Sequence, residues 1–388
     1  MAFGLFVITA AAAQAGDPGK RSSAFLTLGA AEGLPAGAVW SVAPAGDKGV
    51  WLGTDAGLLR YHGDGASGRF ENVSSRIGLG RVAVRTVLQD SKGAVWIGTH
   101  SKGLYRWRQG KLTRFDTERG LSGNSIHALM EDPTGRLWIG TDKGLNAIVN
   151  DDLYLLPKDV VDLGPVTMVS LVLDRSGRLW IATHNRGVLV LDGSRVHRFG
   201  LGSETRVTTL IEDRDGNLWL GTTTGLARLR DGEFSALRSD RSPIDSAVQQ
   251  LFEDPRGRLW VTTRRGLFSV DRWQLHAFLD SDQTGEAPEF RSYGAAEGLR
   301  ALEFNGGYGN AGALTADGKL WLPTSGGVVV HDPEVDEQLR AAAAREAAST
   351  GPERWLRNAP ALQAGLGGAF IIILLVAVSQ LRGRAFRE

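Results

Sequence analysis

The chain has 388 residues, with 44 Lys and Arg against 43 Asp and Glu, so it carries no bulk field to draw nucleic acid or an anionic membrane surface. Its 51 Gly are about twice the usual share of roughly 7%, and with 13 Pro and 42% hydrophobic residues they point to many turns rather than disorder. There is no Cys, which excludes a disulfide framework and a thiolate metal site.

Residues 1–15 read as an export signal. The apolar stretch Ala2 to Ala13 leads into Ala13-Gln14-Ala15, the small-x-small pattern that signal peptidase accepts before Gly16. No Lys or Arg precedes the stretch, and the plainer alternative is a short Ala-rich helical cap.

One unit then recurs seven times and is clearest in Asp132-Pro-Thr-Gly135-Arg136-Leu137-Trp138-Ile139-Gly140-Thr141-Asp-Lys-Gly144-Leu145. The other copies centre on Trp51, Trp96, Trp180, Trp219, Trp260 and Trp321, at spacings of 45, 42, 42, 39, 41 and 61. A four-stranded propeller blade needs roughly 40 to 50 residues. The expected fold is therefore all-β, a seven-bladed β-propeller of four-stranded antiparallel blades over residues 22–333. Asp90, Asp132, Asp174, Asp213 and Asp254 each stand three residues before a Gly, as in a type I turn joining the first two strands. In the strand that follows, the indole offers a large apolar face to the neighbouring blade, and the Gly after it permits a close backbone approach. Thr, a few variable residues and Gly-Leu then form the next hairpin.

Gly29-Ala30-Ala31-Glu32-Gly33-Leu34 recurs as Gly294-Ala295-Ala296-Glu297-Gly298-Leu299. The strand near Phe25 and Leu26 is therefore expected to complete the last blade and remove a free sheet edge. The long spacing before Trp321 predicts an insertion around Trp273 to Glu289, expected as a long loop at the edge of blade six.

The unit resembles the two-component regulator propeller of bacterial extracytoplasmic sensors, over roughly Phe25 to Pro333. The most specific segment is Gly298-Leu299-Arg-Ala-Leu-Glu303-Phe304-Asn305-Gly306-Gly307, followed by Asp317-Gly318-Lys-Leu320-Trp321-Leu-Pro323-Thr324 and Asp332-Pro333. It looks like the closing blade of those sensors. In that family an Ig-like domain usually follows, then a membrane helix, then a histidine kinase, a diguanylate cyclase or a transcription-factor module. Here residues 334–358 are too few for the Ig-like domain and read as a partly helical linker ending at Gly351-Pro352. Residues 359–381 form an uncharged apolar run long enough to cross a bilayer, and residues 382–388 a short cytoplasmic tail. The resemblance implies a ligand-sensing receptor half, of two-component or cyclic-di-GMP type, in the inner membrane with its propeller in the periplasm. Its output module is expected either beyond this chain or on a separate signalling partner, and the receptor is expected to act as a homodimer.

The chemistry-bearing residues do not assemble a catalytic motif. There is no Walker-type loop, no Gly-x-Ser-x-Gly and no Cys nucleophile, so no cofactor or catalytic residue is expected. His62, His127, His197, His276 and His331 fall in different registers of different blades and read as structural or surface residues. His100 and His184 follow the repeat's Thr in blades two and four, one blade too far apart for a shared metal. Asp213-Arg-Asp215-Gly216 could suggest calcium, but the turn already uses both residue types. The enzymatic alternative is the lyase family that opens streptogramin antibiotics, built from similar Gly-x-Leu-Trp units. A membrane-anchored interaction scaffold is the other.

The hairpin after the second strand and the connection into the next blade share one face of the ring. The variable hairpin positions are Asp55, His100 with Lys102, Asp142 with Lys143, His184 with Asn185 and Arg186, Thr223 with Thr224, Arg264 with Arg265, and Ser325: five fixed cations against two acids. The connections add Arg81, Asn124, Arg206, Glu303 and Asn305. This face is expected to bind a small acidic or polyhydroxylated molecule, such as a carboxylated sugar, with Arg264, Arg265, Arg186 and Lys102 as anion partners. No nucleic-acid partner is expected.

Overall fold

The computed structural model describes residues 23–349 apart from 36, 47–48, 64–67, 156–165, 185, 194, 201–204, 300–302, 308 and 310. Seven four-stranded antiparallel sheets follow one another along the chain. The innermost strands of blades one to six are Val39–Pro44, Val84–Gln89, Ile126–Glu131, Met168–Leu173, Val207–Glu212 and Val248–Glu253. Blade seven has a two-residue inner strand, Ala313–Leu314, followed by Leu320–Thr324 and Gly327–His331. Its fourth strand is Phe25–Leu28, paired antiparallel with Val328–His331, so the ring closes as the Gly29 and Gly294 repeats predict.

The repeat residues do more than their turn and packing roles suggest. In blades two to six the turn is closed by the Gly N–H donating to the Asp carbonyl three residues earlier. The same Asp side chain accepts, on Oδ2, the indole N–H of its blade's Trp at 2.7–3.1 Å. One carboxylate thus holds both the turn and the orientation of a buried Trp. The seven Thr that end the Trp strands each donate their hydroxyl to the Gly carbonyl of the hairpin, at 2.7–3.2 Å. The Gly after the Trp accommodates side chains rather than backbone alone: a Cβ on Gly221 would lie 2.5 Å from Thr209 Cγ2 and 2.6 Å from Val248 Cγ1 of the next blade.

The insertion is a loop only in its second half, 281–289. Arg272–Asp280 is an α-helix between the third and fourth strands of blade six, capped by Asp271, whose carboxylate accepts the N–H groups of Trp273 and Gln274. Leu275, Phe278 and Leu279 recur at helical spacing and enter the core shared with blade five. The long connection before blade seven has a second role. Asn305 N–H bonds Pro323 O of blade seven, and its side-chain amide bonds Val39 O of blade one at 2.6 Å. Gly307 N–H bonds Gln249 O of blade six, Gly309 N–H bonds His127 O of blade three, and Ala311 O accepts Val42 N–H of blade one. A segment with partners in blades three and six of a seven-membered ring crosses its centre. The motif read as a closing blade is therefore also a plug in the central channel.

After the propeller, Pro333–Ser349 is an α-helix, with Asp332 accepting the N–H groups of Glu334 and Val335 at its start. The expected export signal at 1–15 and apolar span at 359–381 lie outside the described residues. Among the described residues no helix is long and apolar enough to cross a membrane.

Candidate functional site

The hairpin residues occupy the ring face expected of them. Asp55, His100, Asp142, His184 and Thr223 each donate a backbone N–H to the carbonyl just before their blade's inner strand, which fixes hairpin and connection side by side. His100, Lys102, Lys143, Arg186, Arg264, Arg265 and Arg81 are exposed. Asn185 lies outside the described residues.

Several of these residues are already engaged by partners within the protein. Arg265 pairs with Asp245 at 2.9 Å, so its charge is locally balanced. Asn124 exchanges hydrogen bonds with Thr117 and holds its own connection. Arg206 donates to His184 Nε2 at 3.0 Å. Burial and that guanidinium hold the His184 imidazole below its ordinary range. Asp55, one of the two acids, accepts the indole N–H of Trp40 and lies 3.4 Å from Arg85.

Arg264 and Asn305 do come together. With Trp40, Gln249, Glu303, Phe304 and Gly306 they line a pocket of about 240 Å³ at the mouth of the channel, drawn from blades one, six and seven and floored by the plug. Neither Arg264 nor Glu303 makes an ion pair among the described residues. Gly306 lets the plug sit this close to the wall: a Cβ there would lie 2.3 Å from Gln249 O.

Trp40 and Gln249 were not among the expected site residues, although the sequence carries a signal for them. The inner strands of blades one to six each shift register by one residue, and the residues skipped are Trp40, Arg85, His127, Val169, Thr208 and Gln249. Such bulges re-aim a side chain and gather at functional sites. The preceding position is always Val, Ile or Met, whereas the bulged one is chemically different in every blade. Arg85 stacks 4.0 Å from the Trp40 ring centroid. His127 is buried, which pushes its imidazole down to about 4, while Asp142 opposes that shift and His100, His184 and Arg85 add to it.

A larger cleft, of about 860 Å³, lies between blades four and five beside the inserted helix, at the turns opposite the hairpin face. Asp213, Asp215 and His276 place ligand atoms within 4.8 Å of one another there. The nitrogens of His276 and the carboxylate oxygens of Asp213 are already used. Arg228 donates to His276 Nδ1 at 2.9 Å, which leaves Nε2–H to donate to Asp213 Oδ2 at 2.9 Å. Burial alone would raise the Asp213 carboxyl, but bonds from His276, Asn217, Trp219 and Asp215 outweigh it and hold the group well below the usual carboxylate range. Asp215 lies 3.3 Å from the Arg272 guanidinium. The set is a hydrogen-bonded tie between helix and blade, with no imidazole nitrogen left for a metal or for a substrate proton.

No curated protein matches the sequence. Among solved structures the chain is similar to the extracellular domain of a hybrid two component system from B. thetaiotaomicron, at 19% identity and a TM-score of 0.64. That match covers 81% of this chain and 42% of the other, so the chain spans about two-fifths of its length. It is also similar to a streptogramin B lyase, at 14% identity and a TM-score of 0.58, over 79% of this chain and 97% of the lyase. PorZ, a surface component of the type-IX secretion system of Porphyromonas gingivalis, aligns at 12% identity and a TM-score of 0.56, over 76% of this chain and 46% of its own. At these identities the likeness is one of fold. The two component regulator propeller model matches residues 120–143, 200–224 and 242–265, each running from a blade connection through the Trp strand to the hairpin.

Proposed function

From a chain built on two component regulator propeller repeats, we propose the ligand-sensing half of a membrane-anchored bacterial receptor that lies outside the cytoplasm. The propeller captures a small anionic molecule, acidic or a carboxylated sugar, and performs no chemistry on it. The observation that carries this reading is the channel-mouth pocket, where Arg264 faces the plug without a protein counter-ion among the described residues. A guanidinium can bind a carboxylate through two parallel bonds, and a partly enclosed pocket strengthens both. The apolar run 359–381 anchors the chain, residues 1–15 direct its export, and output passes to a kinase, cyclase or transcription-factor module beyond residue 388 or on a separate protein.

A closed propeller is stiff, so the signal is a change in how two propellers associate, passed on through residues 334–348. The binding test is a thermal-shift and calorimetric titration of the full chain with hexuronic acids and short carboxylic acids. Arg264→Gln abolishes the response, while Arg265→Gln, whose charge Asp245 already balances, leaves it intact; equal responses in both would remove the assignment. For transmission, disulfide crosslinking of single Cys substitutions between Val335 and Ala348 changes on ligand addition. Unchanged crosslinking at every position would exclude this route.

A further inference from the structure

The channel-mouth pocket carries one cation but three unanswered acceptors. Gln249 donates its side-chain amide to Ala247 O and Asn305 donates its own to Val39 O. Those carbonyl partners fix which way each amide is turned, so Gln249 Oε1 and Asn305 Oδ1 are the atoms left over. These two oxygens and the carboxylate of the exposed Glu303 belong to residues that line the same pocket, and none of them meets a protein donor among the described residues. A purely anionic ligand would satisfy Arg264 and leave these acceptors, one of them charged, facing more negative charge. An ammonium supplies three N–H donors and a positive charge. At about 240 Å³ the pocket is smaller than the roughly 300 Å³ at which drug-sized sites begin, which suits a very small molecule.

We propose that the ligand is a zwitterion of amino-acid size, its carboxylate held by Arg264 and its ammonium by Glu303, Gln249 Oε1 and Asn305 Oδ1. Trp40, whose indole N–H is already given to Asp55 and whose ring is stacked by Arg85, forms a fixed apolar wall for its side chain. This inference rests on the anion reading of the same pocket and narrows it. It also accounts for a Glu and a Gln at positions where a simple anion receptor would place further cations.

The experiment titrates the full chain with each of the twenty L-amino acids, with the matching carboxylic acids that lack the ammonium, and with the matching amines. It is repeated on Arg264→Gln and Glu303→Gln, with Arg265→Gln as the control. The expected result is a thermal shift with at least one amino acid that exceeds the shift with either of its single-charge counterparts at equal concentration. Each of the two pocket variants weakens binding about tenfold or more. In Glu303→Gln the preference for the amino acid over its des-amino acid collapses. Equal binding of the des-amino acid, with Glu303→Gln unchanged, overturns the zwitterion while the anion site stands. No response to any probe, or a response that Arg264→Gln leaves intact, overturns the site itself.

Discussion

Substituting Gly306 by Ala tests whether the plug shapes both the ring and the pocket. The new Cβ would stand 2.3 Å from Gln249 O, whereas a carbon and a carbonyl oxygen normally come no closer than about 3.3 Å. The segment must therefore move about 1 Å from the blade-six wall. The Gly307 N–H to Gln249 O bond, already 3.3 Å, is then lost, and the Asn305 bond to Val39 O at 2.6 Å is strained. Overpacking costs about 1–3 kcal/mol and a lost hydrogen bond about 1 kcal/mol, which together give about 2–4 kcal/mol. For a propeller of roughly 300 residues that lowers Tm by about 3–6 °C. The control is Gly326→Ala, on the same ring face, where a Cβ meets nothing within 4 Å; its expected effect is within about 0.5 kcal/mol. Urea unfolding at constant m and thermal melts read both variants. Equal stability in the two would refute the reading of Asn305, Gly306, Gly307, Gly309 and Ala311 as parts of a packed plug.

Three further outcomes follow from buried groups. His127 has an imidazole lowered to about 4 from an ordinary 6.5, so its neutral form is favoured in the folded state. That contribution is present above pH 6.5 and is lost as pH falls toward 4, by about 3 kcal/mol in all; unfolding at pH 7 and pH 5 should lose less stability in His127→Gln than in the parent. His276→Phe removes one of the two acceptors of Arg228, which is 4% exposed and keeps its pair with Asp280 at 2.6 Å, and one donor to the fully buried Asp213. A cost of about 1–3 kcal/mol is expected, with His276→Phe/Arg228→Met costing less than the sum of the singles in denaturant melts. Thr222→Val removes the hydroxyl bond to Gly225 O and should cost about 1 kcal/mol, read the same way.

The ring could be read from the sequence because the blades reuse the same parts: a Trp to cover the neighbour and a Thr-ended strand in all seven, and an Asp-x-x-Gly turn in blades two to six, recur at spacings that only a four-stranded unit satisfies. Blade closure was legible for the same reason, through the repeated Gly-Ala-Ala-Glu-Gly-Leu. The helix Arg272–Asp280 was hidden by its position. Asp271 and the Leu275, Phe278 and Leu279 spacing are helix signals, but they sit where a repeat-based reading sees only excess length. The site was legible by face and not by membership. Nothing local in Arg265 announces Asp245, twenty residues away, and nothing in Arg264 announces that its own charge stays unbalanced. Trp40 and Gln249 belong to inner strands whose alternation assigns them to packing, and only the one-residue bulge turns them toward the channel.

Because Phe25–Leu28 is zipped to Val328–His331, and Asp332 N–H bonds Ala24 O, the chain enters and leaves the ring at a single point on blade seven. Any pull delivered along the segment after Asp332 is therefore borne first by these few antiparallel pairs, loaded lengthwise along the strands. The clasp that completes the circle is also its coupling to the outside, and its failure would open blade seven while leaving the other six sheets with their own hydrogen bonds. A propeller closed in this way has its mechanical fuse at the seam, on the blade that directly follows the segment carrying Glu303 and Asn305.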